Sequence, residues 1–219
     1  PVSTVSKHLK AEGVGRIWRL EEEQSPPQRY EHAAPGDLLH IDAKKLARIE
    51  RVGHRIHGDR SKRRYGAGWE VVFVCVDDHT RLAYAEVHPS EDARSATKFL
   101  KRALRWFRGL GIECKRLLSD NARCYSSNAF TALCERERIK QSFTRPYTPQ
   151  TNGKAERFIQ TCKREWAYVR PYRTSRHRTA ALAVFLCYYN CHRPHWGIGR
   201  ITPQRRLTQL VNNVPGCDS

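Results

Sequence analysis

Three acidic residues stand out by type and by place: Asp42 closing the apolar run LLHIDA, Asp120 closing KRLLSDN, and Glu156 inside YTPQTNGKAERF. A carboxylate at the end of an apolar strand loses hydration, which is costly unless something positive meets it. In open sheets, ligand sites gather at strand ends. Taken singly, either aspartate also reads as a turn residue that opens a loop. Counting a helix from Asn152 as its cap, Ala155, Phe158, Ile159, Cys162, Trp166 and Val169 form one apolar stripe. Glu156 lies about 100 degrees round from the centre of that stripe. Gln160 and Lys163 share its flank. A first-turn glutamate is favoured by the helix dipole alone, by about 0.3–1 kcal/mol. That accounts for an acid at 156, but not for two strand-end aspartates in a chain so rich in positive charge.

The elements that must carry these residues follow from periodicity. LLHIDA (38–43), WEVVFVCV (69–76) and RLAYAEV (81–87) read as strands, the last two joined as a hairpin by the turn DDHT, to which Asp77 and Asp78 belong. EDARSATKFLKRALRWFRGLG is a helix, with Ala96, Phe99, Leu100, Ala103, Leu104 and Phe107 repeating at three and four before a glycine stop. KRLLSDN (115–121) is a fourth strand. SSNAFTALCERERI (126–139) is a helix capped by Ser127 or Asn128, and KQSFTRPY is a fifth strand ending at Pro146. Helices follow to the end. Consecutive early strands predict an antiparallel meander and the later alternation predicts parallel crossovers, giving an α/β mixed five-stranded sheet with helices on both faces. Trp106, Trp166, Phe158 and Phe185 are expected in the core.

Composition bounds the partners. The 219 residues include 40 Lys+Arg against 22 Asp+Glu, a net charge of +18, with 39% hydrophobic residues. That is a folded polycation, whose field attracts nucleic acid. No run approaches the roughly 18 apolar residues of a spanning helix, and no secretory signal is visible, so a soluble, cytoplasmic location is expected. Eight scattered cysteines without a Cys-x-x-Cys pair favour free thiols. The cluster CYYNCHRPH, with Cys187, Cys191, His192 and His195, matches no zinc module. Residues 48–64 hold seven Lys/Arg and two acids, and 157–178 hold seven and one. The first is a solvated loop or a phosphate contact, the second a ridge facing DNA. The chain contains no methionine, so Pro1 reads as internal to a longer protein. Residues 1–20, with Val2, Val5 and Leu9 at helical spacing, are consistent with the remnant of a helix-turn-helix or, equally, with a loose amphipathic terminus. Residues 21–36 read as a linker, 37–205 as the core and 206–219 as a tail.

LLHIDAKKL, LLSDNARCY and YTPQTNGKAERF, in that order and with 35 residues between Asp120 and Glu156, resemble the integrase-core transposases of bacterial insertion sequences. These are relatives of retroviral integrases in the ribonuclease H-like superfamily. VCVDDHTRLAYAEV and YYNCHRPHWGIGRITPQRRL resemble the same family, and the likeness runs over residues 37–205. It implies a ribonuclease H-like fold and an enzyme that hydrolyses DNA 3′ ends and transfers them to target DNA. Asp42, Asp120 and Glu156 are then the catalytic residues and the ligands of two Mg²⁺ or Mn²⁺ ions. Converging carboxylates repel unless cations neutralise them, and hard oxygen donors suit Mg²⁺. The partners implied are transposon ends, target DNA and further copies of the chain, with no membrane and no small-molecule substrate. Asn121, Gln150, Asn152, Lys154, Arg157 and Lys163 are the expected DNA contacts, although Asn121 could equally close the strand end. A nuclease of the same fold, or an inactive transposase-derived DNA-binding protein, is the alternative.

Overall fold

In the strand Leu39–Ala47 (β1) and its neighbour Trp69–Asp77 (β2), successive side chains go to opposite faces of the sheet. Leu39, Ile41, Val71, Phe73 and Cys75 enter one apolar cluster, while Leu46, Val72, Val74 and Val76 enter another. The protein is described here from a computed structural model covering residues 2–13, 31–50, 58, 67–144 and 152–212. It divides into two units, Pro1–Tyr30 and Glu31–Ser219. The described part of the first is the helix Val2–Ala11 (α1), on which Val5 and Leu9 are exposed, followed by Gly13 in the left-handed region.

In the second unit β1, β2 and Ala83–His88 (β3) form an antiparallel meander. The helix Ala93–Gly109 (α2) leads to Arg116–Ser119 (β4), and Asn128–Arg136 (α3) leads to Lys140–Phe143 (β5). Asp92 and Ser127 cap these helices by accepting from Ser95 N and Phe130 N. The strand order is β3-β2-β1-β4-β5, with β1–β4 and β4–β5 parallel. This is the mixed sheet expected from the sequence.

The two faces are covered by different helices. Phe99, Phe107 and Phe130 of α2 and α3 pack on the Leu39–Ile41–Phe73 side. The other side carries Gly153–Cys162 (α4) and Ser175–Cys187 (α5), through Phe158, Trp166 and Phe185. Each of the six helical positions predicted for the α2 stripe is buried. On α4 the stripe holds as far as Trp166, but Val169 is 57% exposed. The helix closes with a π-helical turn, Lys163–Ala167, so Val169 lies beyond its last residue.

The core is longer at both ends than the sequence pattern suggested. Residues 31–36, expected as the last part of a linker, are bonded to the hairpin turn: His32 N donates to Asp78 Oδ2 and Gly36 N to Asp77 Oδ1, each at 2.8 Å. At the other end, the helix Pro203–Asn212 (α6) buries Leu207 in the α2 cluster, so part of the expected tail belongs to the core. Asn190, in the π-helical turn after α5, binds the backbone of Ala83 at both ends of its amide, at 2.9 Å each. Arg193 forks onto Glu165 at 2.9–3.1 Å, and His195 Nε2 faces Tyr189 O at 3.2 Å. The His-Cys tail thus works through single side chains as clamps.

Gly36 has φ +81°, and a Cβ there would lie 2.1 Å from Glu113 O. Gly36→Ala is therefore expected to cost roughly 1–3 kcal/mol, which lowers Tm by about 2–4 °C per kcal/mol in a domain of this size. An unchanged melting curve would show that this segment is not held against the core.

Candidate active site

The parallel pairing sets Leu39 opposite Leu117 and His40 opposite Leu118. Continued by two residues, that register brings Asp42 level with Asp120, the residue that follows β4. Asp42 also shares the parity of His40, Leu46 and the strand face covered by α4. Glu156 is in the first turn of α4, half-buried, while Arg157 beside it and Gln160 and Lys163 further on are exposed.

Electrostatics report the convergence. The Asp42 carboxyl is pushed up to about 7, first by burial and then by the charges of Asp120 and Glu156. The Ala43 N–H at 2.7 Å and Lys44 oppose the shift without cancelling it. Asp120 accepts from Ala122 N at 3.1 Å. Among the described residues no three His, Cys, Asp or Glu side chains close on one another tightly enough to hold a metal as they stand. The trio is a concentration of negative charge rather than a finished cage. Its donor chemistry, carboxylate oxygen throughout, fits a hard divalent cation, and such a cation would relieve the repulsion that raises Asp42.

A second acid, in the hairpin turn that follows β2 and bonded through its backbone to Leu38, has the opposite electrostatics. Asp78 is fully buried. Burial would raise its carboxyl, but hydrogen bonds from His40, the His32 N–H and Lys154 outweigh it and hold the group well below the usual carboxylate range. His40 Nε2 lies 2.8 Å from Asp78 Oδ1, and His40 Nδ1 lies 3.0 Å from Asn152 Oδ1. Asn152 Nδ2 donates to Ile41 O at 3.1 Å, which orients the amide and leaves its oxygen toward the ring. The two ring nitrogens of His40 thus face a carboxylate oxygen and an amide oxygen.

These contacts revise several expected roles. Asn152 occupies the cap position of α4 but makes no side-chain cap bond; it is 3% exposed and its amide is spent on β1, so it does not present itself to DNA. Lys154, also expected at DNA, directs its ammonium to Asp78. Burial lowers the Lys154 pKa, with Asp78 opposing that shift. Asn121 takes the other of its two expected roles: Nδ2 donates to Thr144 O at 3.0 Å and ties the ends of β4 and β5. Gln150 lies outside the described residues, as does most of the basic 48–64 loop. Arg157 and Lys163 remain outward-facing. His40 was not singled out by sequence and Asp78 was read only as a hairpin-turn residue, although a histidine at an inward-facing position of an apolar strand was the available signal.

Residues 32–149 match the Integrase core domain family, and residues 137–203 match a second family of the same description. The first match spans more than half of the chain, which belongs to the integrase core domain family. Two solved structures show the same fold. A chain of the simian T-cell lymphotropic virus intasome, determined in complex with the PP2A regulatory subunit B56 gamma, is 17% identical with a TM-score of 0.66 over 91% of this chain and 62% of that one. The present chain thus spans about three fifths of that viral protein. The catalytic core domain of BIV integrase is 22% identical with a TM-score of 0.56, over 81% of this chain and 97% of that one.

The raised Asp42 carboxyl has a consequence for stability. In the unfolded chain an aspartate ionises near pH 3.9; in the folded chain Asp42 does so at about 7. The folded state is therefore penalised progressively as pH rises between these values, and fully above 7. In metal-free buffer, Asp42→Asn is expected to raise Tm at pH 8 and to change it little at pH 4. An equal effect at both values would show that the carboxylate carries no such repulsion.

Proposed function

We propose that this chain is the catalytic core of a DDE transposase of the bacterial insertion-sequence kind, which hydrolyses DNA 3′ ends and joins them to target DNA. Membership of the integrase core domain family supports polynucleotidyl transfer in general, and such cores generally work with divalent metals. The observation that carries the finer reading is the coupling of Asp42 to both Asp120 and Glu156. Three acids from two adjacent parallel strands and the helix covering them share one electrostatic site in a chain of net charge +18.

Asp42 and Asp120 are the central ligands in this reading, and Glu156 closes the site from the helix side. Mg²⁺ or Mn²⁺ held by these oxygens, two ions in this reading, would supply Lewis acidity at the attacking and leaving oxygens of an in-line phosphodiester displacement. In the first step a water oxygen forms a bond to phosphorus and the bond to the 3′ oxygen breaks, freeing a 3′-OH. In the second, that 3′ oxygen bonds to a target phosphorus and displaces the target's own 3′ oxygen. No side chain becomes covalently attached. Asp42, close to half-protonated at neutral pH without cations, would be favoured in its ionised form by positive charge entering the site. Exposed Arg157 and Lys163 on the flank of Glu156 hold phosphates outside the acidic centre. Joining two element ends implies at least two copies of the chain on DNA.

Glu156→Gln is expected to abolish joining of labelled element ends in Mg²⁺ or Mn²⁺ while leaving salt-sensitive DNA binding nearly intact. Undiminished joining would overturn the assignment, nicks without joining in the wild type would make the chain a nuclease, and binding alone would make it a derived regulator. Lys163→Ala should weaken DNA binding and reduce the salt slope by about one. A slope equal to that of the wild type would move the phosphate contact elsewhere.

A further inference from the structure

The buried polar groups behind the acids form a connected clip between the two elements that carry Asp42 and Glu156. On β1, His40 stands two residues before Asp42 on the same face, about 7 Å along the strand. On α4, Asn152 stands one helical turn before Glu156, about 6 Å along the axis. His40 and Asn152 are bonded to each other, Asn152 is bonded again to Ile41 O, and Asp78 draws His40 and Lys154 onto one carboxylate oxygen. Lys154 sits midway between Asn152 and Glu156 in sequence. The start of the helix is thus pinned to the strand at a point close to both acids.

Stability alone is a poor explanation for this arrangement. An asparagine at a helix cap ordinarily accepts from the helix's own N–H groups, worth about 1 kcal/mol, and Asn152 forgoes that bond. Burying a histidine, a carboxylate, an amide and part of an ammonium gains little over apolar side chains of the same volume. A fully connected polar set does, however, permit one geometry only. Apolar packing between α4 and the sheet, through Ala155, Phe158 and Ile159, allows the small sliding that directional bonds forbid.

We propose that His40, Asn152 and Asp78 are positioning residues that lock the start of α4 to β1 and so set the separation of Glu156 from Asp42. This rests on the reading of the acids as one metal-holding site. It assigns the buried amide of Asn152 and the ring of His40 to the geometry of catalysis, with no contact to DNA.

The test uses the full chain and the variants His40→Gln and Asn152→Leu, with Glu70→Gln as a control. Glu70 forms a buried ion pair with Arg178 at 2.5 Å on the same sheet, at the start of β2, outside the clip. Three quantities are read: the Mn²⁺ concentration that gives half of the full Mn²⁺-induced rise in Tm without DNA, the single-turnover joining rate, and the Kd for labelled DNA ends. Loss of groups that orient metal ligands typically costs 10- to 100-fold in metal affinity or activity. The clip variants are expected to raise the half-saturating Mn²⁺ and to slow joining by about that factor, while Kd for DNA stays within about twofold, as expected when no phosphate contact is lost. Glu70→Gln is expected to lower Tm without moving the Mn²⁺ midpoint. Clip variants that bind Mn²⁺ like the wild type, or lose affinity only as Glu70→Gln does, would overturn the proposal. Should His40→Gln fail to fold, Asp78→Asn keeps the shape and an acceptor for His40, and a smaller rise in the same midpoint is expected; no rise overturns the proposal. Glu156→Gln run alongside separates the two claims. If it is inactive while the clip variants are unaffected, only the positioning role fails; if it is fully active, the reading of the acids fails and the positioning role with it.

Discussion

The parallel pairing of β1 with β4 is the contact on which the rest of the site depends. A parallel register fixes which residues of the two strands lie level, and here it sets Asp42, inside β1, beside Asp120, which follows the end of β4. The antiparallel meander on the other flank of β1 cannot do this, because β2 runs the opposite way. With the two acids level, α4 covers the face of the sheet to which Asp42 points. Its Phe158 and Ile159 anchor it, and Glu156 follows from their phase on the helix.

Two carboxylates show how burial can be resolved in opposite ways. Asp78 is surrounded by donors from its own chain, so its charge is complete within the protein and its acidity is strengthened. Asp42, on the adjoining strand, has other acids for neighbours and is left close to half-protonated at neutral pH. The first arrangement rigidifies; the second is unfinished without external positive charge. Among the described residues, Arg157 and Lys163 on the flank of Glu156 are exposed and do not fill that gap.

Much of this was legible in the residue order. The nearly continuous apolar run WEVVFVCV reflects a strand buried on both faces, the three-four spacing of Ala96 to Phe107 reflects a single buried face, and both elements lie where the pattern put them. The acids were legible because each ends or edges an apolar stretch. The bonds among His40, Asp78 and Asn152 were not, because they join positions 38 to 112 residues apart, and no local pattern records which side chain a buried ring will meet. Asn152 looked like a cap and a DNA contact because its neighbours in sequence are turn formers; its burial is decided by β1. Val169 fits the helical stripe by count and leaves it in fact, since the helix ends at Ala167 and the count runs past that end. The anchoring of residues 31–36 was likewise hidden, being set by backbone N–H groups that composition does not reveal.

Asn190 gives the edge of the sheet a further property. β3 is the outermost strand on its side, and an outermost strand offers unpaired N–H and C=O groups to any passing extended chain. The amide of Asn190 takes both such groups of Ala83, imitating one residue of a neighbouring strand and then ending. This stopper denies an incoming extended chain its first rung at that position.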